Sequence, residues 1–124
     1  MTTHPGTVVA VGRDVTRFAV GDAVFGAAKG AFAEYAVAAE RSLAHKPENV
    51  SFEDATAIPT EGLTALQGLR GHGQITSGQY VLIVGASGGV GIYAVQIARS
   101  FDTHVTAVCS AQNTDMVMAS EPMH

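Results

Sequence analysis

The clearest structural signal in this chain lies in residues 80–91, which read YVLIVGASGGVG. The first five, Tyr80–Val84, are apolar without polar alternation, a pattern typical of a strand buried on both faces of a parallel sheet. A glycine-rich turn over residues 85–91 follows directly, and an apolar helical pattern continues to about Ser100. A second strand is predicted over residues 104–109. Together these segments predict one β-α-β unit.

The glycine-rich turn has the composition of a phosphate-binding loop. A helix N-terminus carries unpaired amides and the positive end of a dipole, so a diphosphate binds there when the backbone is open to it. Gly85 permits a sharp turn, and Gly88 and Gly89 leave the backbone open. Gly91 permits close packing of the helix on the sheet, and Ser87 adds a hydroxyl donor. A tight turn without a ligand is the alternative, but the flanking strand and helix favour dinucleotide binding.

The residues after the second predicted strand bear on the choice of cofactor. A carboxylate there would hydrogen-bond the ribose hydroxyls of NAD and repel the phosphate of NADP. The chain instead has CSAQN at residues 109–113, which is neutral and able to form hydrogen bonds. This favours NADP, although no Arg or Lys stands in this stretch to hold its phosphate. Asp115 comes too late for the ribose and is interpreted as a helix-capping or solvated acid, and residues 116–124 are predicted to form a frayed tail.

The first third of the chain is predicted to be rich in strands. β-Branched and aromatic residues between glycines or charges indicate strands at Val8–Val11, Asp22–Phe25 and Phe32–Val37. Their short connections favour antiparallel neighbours over alternating strands and helices. On an alternating strand, Phe32 and Tyr35 are interpreted as core side chains rather than as contacts to a quinone-sized ligand.

Two short helices are predicted between the strand-rich segment and the β-α-β unit. Ser51 is a candidate N-cap with two acidic residues in the turn that follows it, and this helix runs to Ala57. Pro59 is expected to end or reset the helix. Leucines then recur at helical spacing from Leu63 to Leu69, and Gly71 is expected to stop the second helix.

Composition and charge exclude several function classes. The 124 residues carry a formal net charge of −4, 47% are hydrophobic and 15% are charged, a globular composition without the basic stripe that nucleic acid requires. Neither a membrane span nor a signal peptide is indicated, so a cytoplasmic protein is expected. Cys109 alone forms no internal disulfide or multi-thiolate site, and the five histidines lack ligand spacing, so no metal is predicted.

A series of landmarks between residues 7 and 115 matches a known family in order. They are VAVG (9–12), GDAVFG (21–26), GAFAEY (30–35), KP (46–47), SFEDA (51–55), IP (58–59), GLTAL (62–66), the glycine-rich turn and AVQIA (94–98). In this order they resemble the medium-chain dehydrogenase/reductase superfamily, in its zinc-free quinone oxidoreductase-like branch.

The resemblance implies a fold class of α+β to α/β. The chain would hold the C-terminal part of a GroES-like β-rich catalytic domain and then the first β-α-β unit of a Rossmann dinucleotide-binding fold, truncated at both ends. Residues 1–50 would be the partial GroES-like domain, 51–76 connecting helices, and 77–124 the partial Rossmann domain. Family members have further strands before the position of Met1 and further units after Cys109, so a gene fragment is expected.

The resemblance also implies an NADPH-dependent oxidoreductase that transfers hydride from the nicotinamide to a quinone or an activated enone. The cofactor contacts are expected at Thr64 for the nicotinamide, at Ser87, Gly88, Gly89, Val90 and Gly91 for the diphosphate, and at Ser110 for the adenosine ribose or its phosphate. Two alternatives stay open: a non-catalytic truncated fragment that at most binds cofactor weakly or interacts with a partner, and a parent enzyme of enoyl reductase type. The expected partners are the quinone or enone and a second copy of the chain, with no nucleic acid and no membrane.

Overall fold

The computed structural model describes residues 2–120 and divides the chain into two compact units, with the boundary between Thr60 and Glu61. The first unit contains β1 (Thr2–Thr7), β2 (Ala23–Ala28), a 3-10 turn (Glu40–Ser42), β3 (Leu43–His45) and α1 (Phe52–Ala57). A π-helical turn (Ile58–Gly62) is followed by α2 (Leu63–Leu66), a second π-helical turn (Gln67–His72), β4 (Tyr80–Val84), α3 (Gly89–Ser100), β5 (His104–Val108), a 3-10 turn (Ala111–Asn113) and α4 (Thr114–Ala119). The three-part division expected from the sequence stays a prediction.

The first unit is built on an antiparallel sheet with the strand order β1-β2-β3. Its buried apolar side chains are Phe18, Val24, Ala31, Ala55 and Pro59. Gly26 in β2 is also buried, and a Cβ added there would overlap the carbonyl oxygen of Ser42 and lie 3.0 Å from the Cα of Leu43. Backbone atoms cannot give way cheaply, so this close approach of β2 to the start of β3 requires glycine.

Two of the predicted strands in this unit are wrong. The predicted strand at Val8–Val11 is absent, because β1 ends at Thr7. Of its residues, Val8 continues the pairing, and its amide donates to the carbonyl oxygen of Asp22 at 2.9 Å. Residues 32–37 form no strand, because their β pairing is limited to one isolated bridge, in which Val37 pairs with Lys29. Without a pleated ladder there is no inward-facing side, and Phe32 and Tyr35 are 83% and 72% exposed instead of lying in the core.

The predicted helix start at Ser51 and the predicted change of helix at Pro59 are confirmed, because α1 ends at Ala57 and the chain continues as a π-helical turn. The hydroxyl of Ser51 accepts a hydrogen bond from the amide of Asp54 at 3.1 Å, as an N-cap does. Pro59 lies inside the π-helical turn that follows α1 without interruption. A proline has no N–H to donate, and the wider π-helical turn accommodates its ring where a regular turn would clash.

The second unit confirms the predicted β-α-β unit. β4 and β5 are parallel and in register from Tyr80 opposite His104 to Val84 opposite Val108, and α3 packs on both strands. The core cluster consists of Ala65, Ile83, Ala86, Ala94, Val95, Ala98 and Val117. Because Val117 belongs to α4 and is buried, the frayed tail predicted from residue 116 is wrong as far as Ala119. The end of that tail lies outside the described residues.

The expectation that β4 is buried on both faces is wrong for the described chain. Ile83 is 8% exposed, whereas its neighbour Leu82 is 65% exposed. α3 covers one face of the two-stranded sheet, so alternate residues of an apolar strand point away from it. None of the helices within residues 2–120 has the length and apolarity to cross a bilayer.

Candidate functional site

The glycine-rich turn is held at the carboxyl ends of both parallel strands. Gly85 adopts a φ of +75°, a left-handed conformation that glycine reaches without strain. The amides of Gly85 and Ala86 both donate to the carbonyl oxygen of Val108 at 3.0 Å. The chain leaving β4 is therefore fastened to the last residue of β5. In parallel sheets this edge is where ligands bind.

Gly91 is required by the packing of α3 on the turn. A Cβ added there would overlap the carbonyl oxygen of Gly85 and lie 2.8 Å from the Cα of Ala86. Both obstacles are backbone atoms of a segment that is already tied to β5. The close helix–sheet contact expected for this glycine is present.

Gly88 and Gly89 are not required by the backbone around them. Gly88 is the N-cap of α3 in an extended conformation open to any residue, and its nearest obstacle to a Cβ is the Gly85 oxygen at 3.4 Å. At Gly89 the space that a Cβ would take is filled by the carboxylate of Glu61, the far end of a flexible side chain. These two glycines therefore leave the backbone without side chains at positions where the fold would also accept other residues.

The first amides of α3 point out of the helix without partners. Inside the helix the ladder begins with the amide of Ile92, which donates to the carbonyl oxygen of Gly88 at 3.0 Å. Within residues 2–120 no acceptor is found for the amides of Gly89, Val90 and Gly91. Three unpaired donors at the positive end of a helix dipole suit an anion such as a diphosphate.

A small hydrogen-bond cluster joins two of the predicted site residues. The side-chain amide of Asn113 donates to the hydroxyl of Ser87 at 3.3 Å and to the hydroxyl of Ser110 at 2.9 Å. Asn113 thereby links the turn after β4 to the segment after β5. The sequence placed Ser87 and Ser110 in the site, but it did not single out Asn113, because the bridge depends on two loops meeting in space.

Thr64 and Glu61 lie on the helical segment that precedes β4. Thr64 is an exposed residue of α2, which packs against α3, and its contact to the nicotinamide stays a prediction. Glu61 is half-buried, and its Oε2 lies 2.8 Å from the point where a Cβ of Gly89 would stand. The sequence had no periodic or spacing signal that would place this carboxylate at the start of α3.

Comparisons with known proteins agree with this architecture. Residues 4–48 match the model of the alcohol dehydrogenase GroES-like domain. The quinone-oxidoreductase QR1 of the chloroplast of Triphysaria versicolor is 44% identical over 123 residues, which cover 90% of this chain and 37% of that protein. The crystal structure of an alcohol dehydrogenase superfamily protein from Novosphingobium aromaticivorans superposes with a TM-score of 0.92 at 39% identity, covering 95% of this chain and 38% of that one.

The predicted resemblance to the medium-chain dehydrogenase/reductase superfamily is confirmed. A further structure, of a mycobacterial protein complexed with NADPH, superposes with a TM-score of 0.82 at 32% identity and covers 97% of this chain and 38% of that one. The predicted fold class is confirmed, with GroES-like residues followed by a parallel β-α-β unit. The chain spans 37% of the length of the quinone-oxidoreductase relatives from Triphysaria versicolor and Spinacia oleracea.

Metal ligands were expected to be missing from this chain. Within residues 2–120, no group of three or more His, Cys, Asp or Glu side chains is placed to hold a metal ion. His124 lies outside the described residues. The lone thiol, Cys109, is half-buried and packs against the core cluster, as expected for an inert cysteine. Independence from zinc stays a prediction.

Proposed function

We propose that the second unit binds the diphosphate of a nicotinamide dinucleotide at the N-terminus of α3. The observation that carries this proposal is that backbone without side chains lies next to amides without hydrogen-bond acceptors within residues 2–120. Gly88 and Gly89 have no fold-imposed need to be glycine, and they stand next to the free amides at the carboxyl edge of a parallel sheet. A turn that served only to connect β4 to α3 would not need a side-chain-free surface at these two positions.

We propose NADPH as the cofactor. Ser110 and Asn113 follow β5, where a superfamily member that uses NAD would be expected to carry a carboxylate for the ribose hydroxyls. Their neutral hydroxyl and amide groups do not repel a ribose phosphate. Ser87 accepts a hydrogen bond from the side-chain amide of Asn113 and would contribute a hydroxyl to the diphosphate. The similarity to a protein complexed with NADPH supports the same cofactor class.

The proposed activity is hydride transfer from the nicotinamide to a quinone or an activated enone. The bound cofactor would supply the hydride, and the chain would supply its position, with Thr64 on α2 at the nicotinamide. The quinone oxidoreductases among the relatives support the quinone class. An enoyl reductase activity and a purely cofactor-binding role are the alternatives, and the acceptor assay below separates them.

The test of the binding site follows the backbone amides of α3. In an amide NMR titration of the full chain with NADPH, the largest shifts are expected at residues 89–91 and in the side-chain amide of Asn113. Gly88→Val should weaken NADPH binding by more than about tenfold, because its side chain would stand between the diphosphate and the amides. Gly6→Val is the matched control, since it places the same side chain in open space on β1. Equal affinity of the two variants for NADPH would refute the site.

Cofactor choice and acceptor class are tested on the same protein. Ser110→Asp should lower the affinity for NADPH while leaving NADH binding unchanged or stronger, because the new carboxylate repels only the ribose phosphate. Oxidation of NADPH would then be followed with a benzoquinone, with a simple enone and with an enoyl thioester. Binding without oxidation by any acceptor would restrict the function to cofactor binding. The cytoplasmic location and a homo-oligomeric state stay predictions, and the relative from Triphysaria versicolor is named as chloroplastic.

A further inference from the structure

Glu61 places a negative charge where the proposed cofactor would bring another. Its carboxylate lies directly against Gly89, the first residue of α3, with Oε2 2.8 Å from the site of a missing Cβ. No residue within 2–120 holds this carboxylate by an ion pair or a side-chain hydrogen bond. The contact is therefore made to the exposed backbone of the turn.

The position is electrostatically favourable in the free protein. The positive end of the α3 dipole and the unpaired amides of Gly89, Val90 and Gly91 attract a carboxylate in the absence of another anion. Glu61 sits in a helical turn that continues into α2, so its backbone is fixed while its side chain can rotate. The carboxylate occupies space that the bare backbone of Gly89 would otherwise offer to a ligand.

We propose that Glu61 is an affinity-setting residue that competes with the cofactor's diphosphate for the N-terminus of α3. This inference rests on the proposed function for its biological meaning, but the competition itself concerns any diphosphate. Binding requires the Glu61 side chain to rotate away from Gly89, and its charge then still repels the phosphates nearby. The residue keeps the affinity for anions low, so only a ligand with additional contacts, such as a full dinucleotide, binds well.

The test uses two variants and two ligands. Glu61→Gln removes the charge and keeps the length of the side chain, whereas Glu61→Ala removes both. Glu53→Gln is the matched control, because Glu53 is an exposed acid in the first turn of α1. Dissociation constants for NADPH and for inorganic pyrophosphate would be measured by calorimetry on the full chain at low and high salt.

Both Glu61 variants should bind pyrophosphate and NADPH about five- to tenfold more tightly than the parent chain at low salt, and Glu53→Gln should not. The gain of Glu61→Gln should shrink at about 1 M salt, because charge repulsion is screened while packing is not. Tighter pyrophosphate binding without any NADPH binding would uphold the competition and refute the proposed function. Unchanged pyrophosphate affinity in either variant, or no pyrophosphate binding by any of the proteins, would overturn the inference.

Discussion

Replacing Gly91 by alanine tests whether the contact between α3 and the glycine-rich turn stabilises the second unit. The added Cβ would stand 2.8 Å from the Cα of Ala86 and 2.9 Å from its carbonyl carbon, and it would overlap the Gly85 oxygen. All three obstacles are backbone atoms, and the two amides of Gly85 and Ala86 are tied to Val108. The turn cannot yield without breaking those hydrogen bonds, so α3 must move away from the sheet.

The expected cost follows from two opposing effects. Overpacking of a rigid contact costs up to about 3 kcal/mol. Alanine in place of glycine stabilises a helix by about 1 kcal/mol, because it has the higher helix propensity. The free energy of unfolding of the second unit should therefore fall by about 2 kcal/mol, which corresponds to a decrease of roughly 10 °C in its melting temperature.

The assay is urea unfolding of the full chain, in which hydrogen exchange at the amides of α3 and of β2 reports on each unit separately. Protection should fall in α3 of Gly91→Ala and stay unchanged in β2, which belongs to the other unit. Gly68→Ala is the control, because a Cβ at Gly68 meets nothing within 4 Å. If Gly91→Ala proves as stable as Gly68→Ala, the packing argument for this glycine is wrong.

Three further substitutions test the remaining parts of the fold by urea unfolding. Ser51→Ala should destabilise the first unit by about 1 kcal/mol through loss of the α1 cap, and an unchanged midpoint would contradict the cap. Val95→Ala should cost about 2 kcal/mol, because Val95 is fully buried in the core of the second unit, and a cost below that of an exposed Val90→Ala change would refute this core assignment. Gly26→Ala should destabilise the first unit by about 2 kcal/mol through its clash with the Ser42 carbonyl, and normal stability would show that β3 can move aside.

The second unit was largely predictable because its signals are local. The apolar run of β4, the glycines of the turn and the periodic helix α3 follow one another within a single stretch of chain. Each of these patterns reflects the conformational preference of neighbouring residues. The same is true of Ser51, whose hydroxyl serves an amide three residues away.

The first unit was less predictable because its pairing is not local. β1 contains Pro5 and Gly6 and carries no apolar alternation, yet it pairs along its whole length with β2. An edge strand tolerates a proline because its outward side donates no ladder hydrogen bond. Conversely, Phe32 and Tyr35 are residue types that favour strands, but no neighbouring strand of the described chain pairs with their segment.

The sequence by itself determined the fold class, the glycine-rich turn and the neutral segment after β5, because these depend on composition and short-range order. Only the tertiary structure decided that Asn113 joins Ser87 to Ser110 and that the carboxylate of Glu61 lies on Gly89. The contact between Asn113 and Ser87 joins residues 26 positions apart, and Glu61 and Gly89 lie on separate helices. The geometry of these contacts is set by how helices and loops pack, and no periodicity or spacing along the chain encodes it.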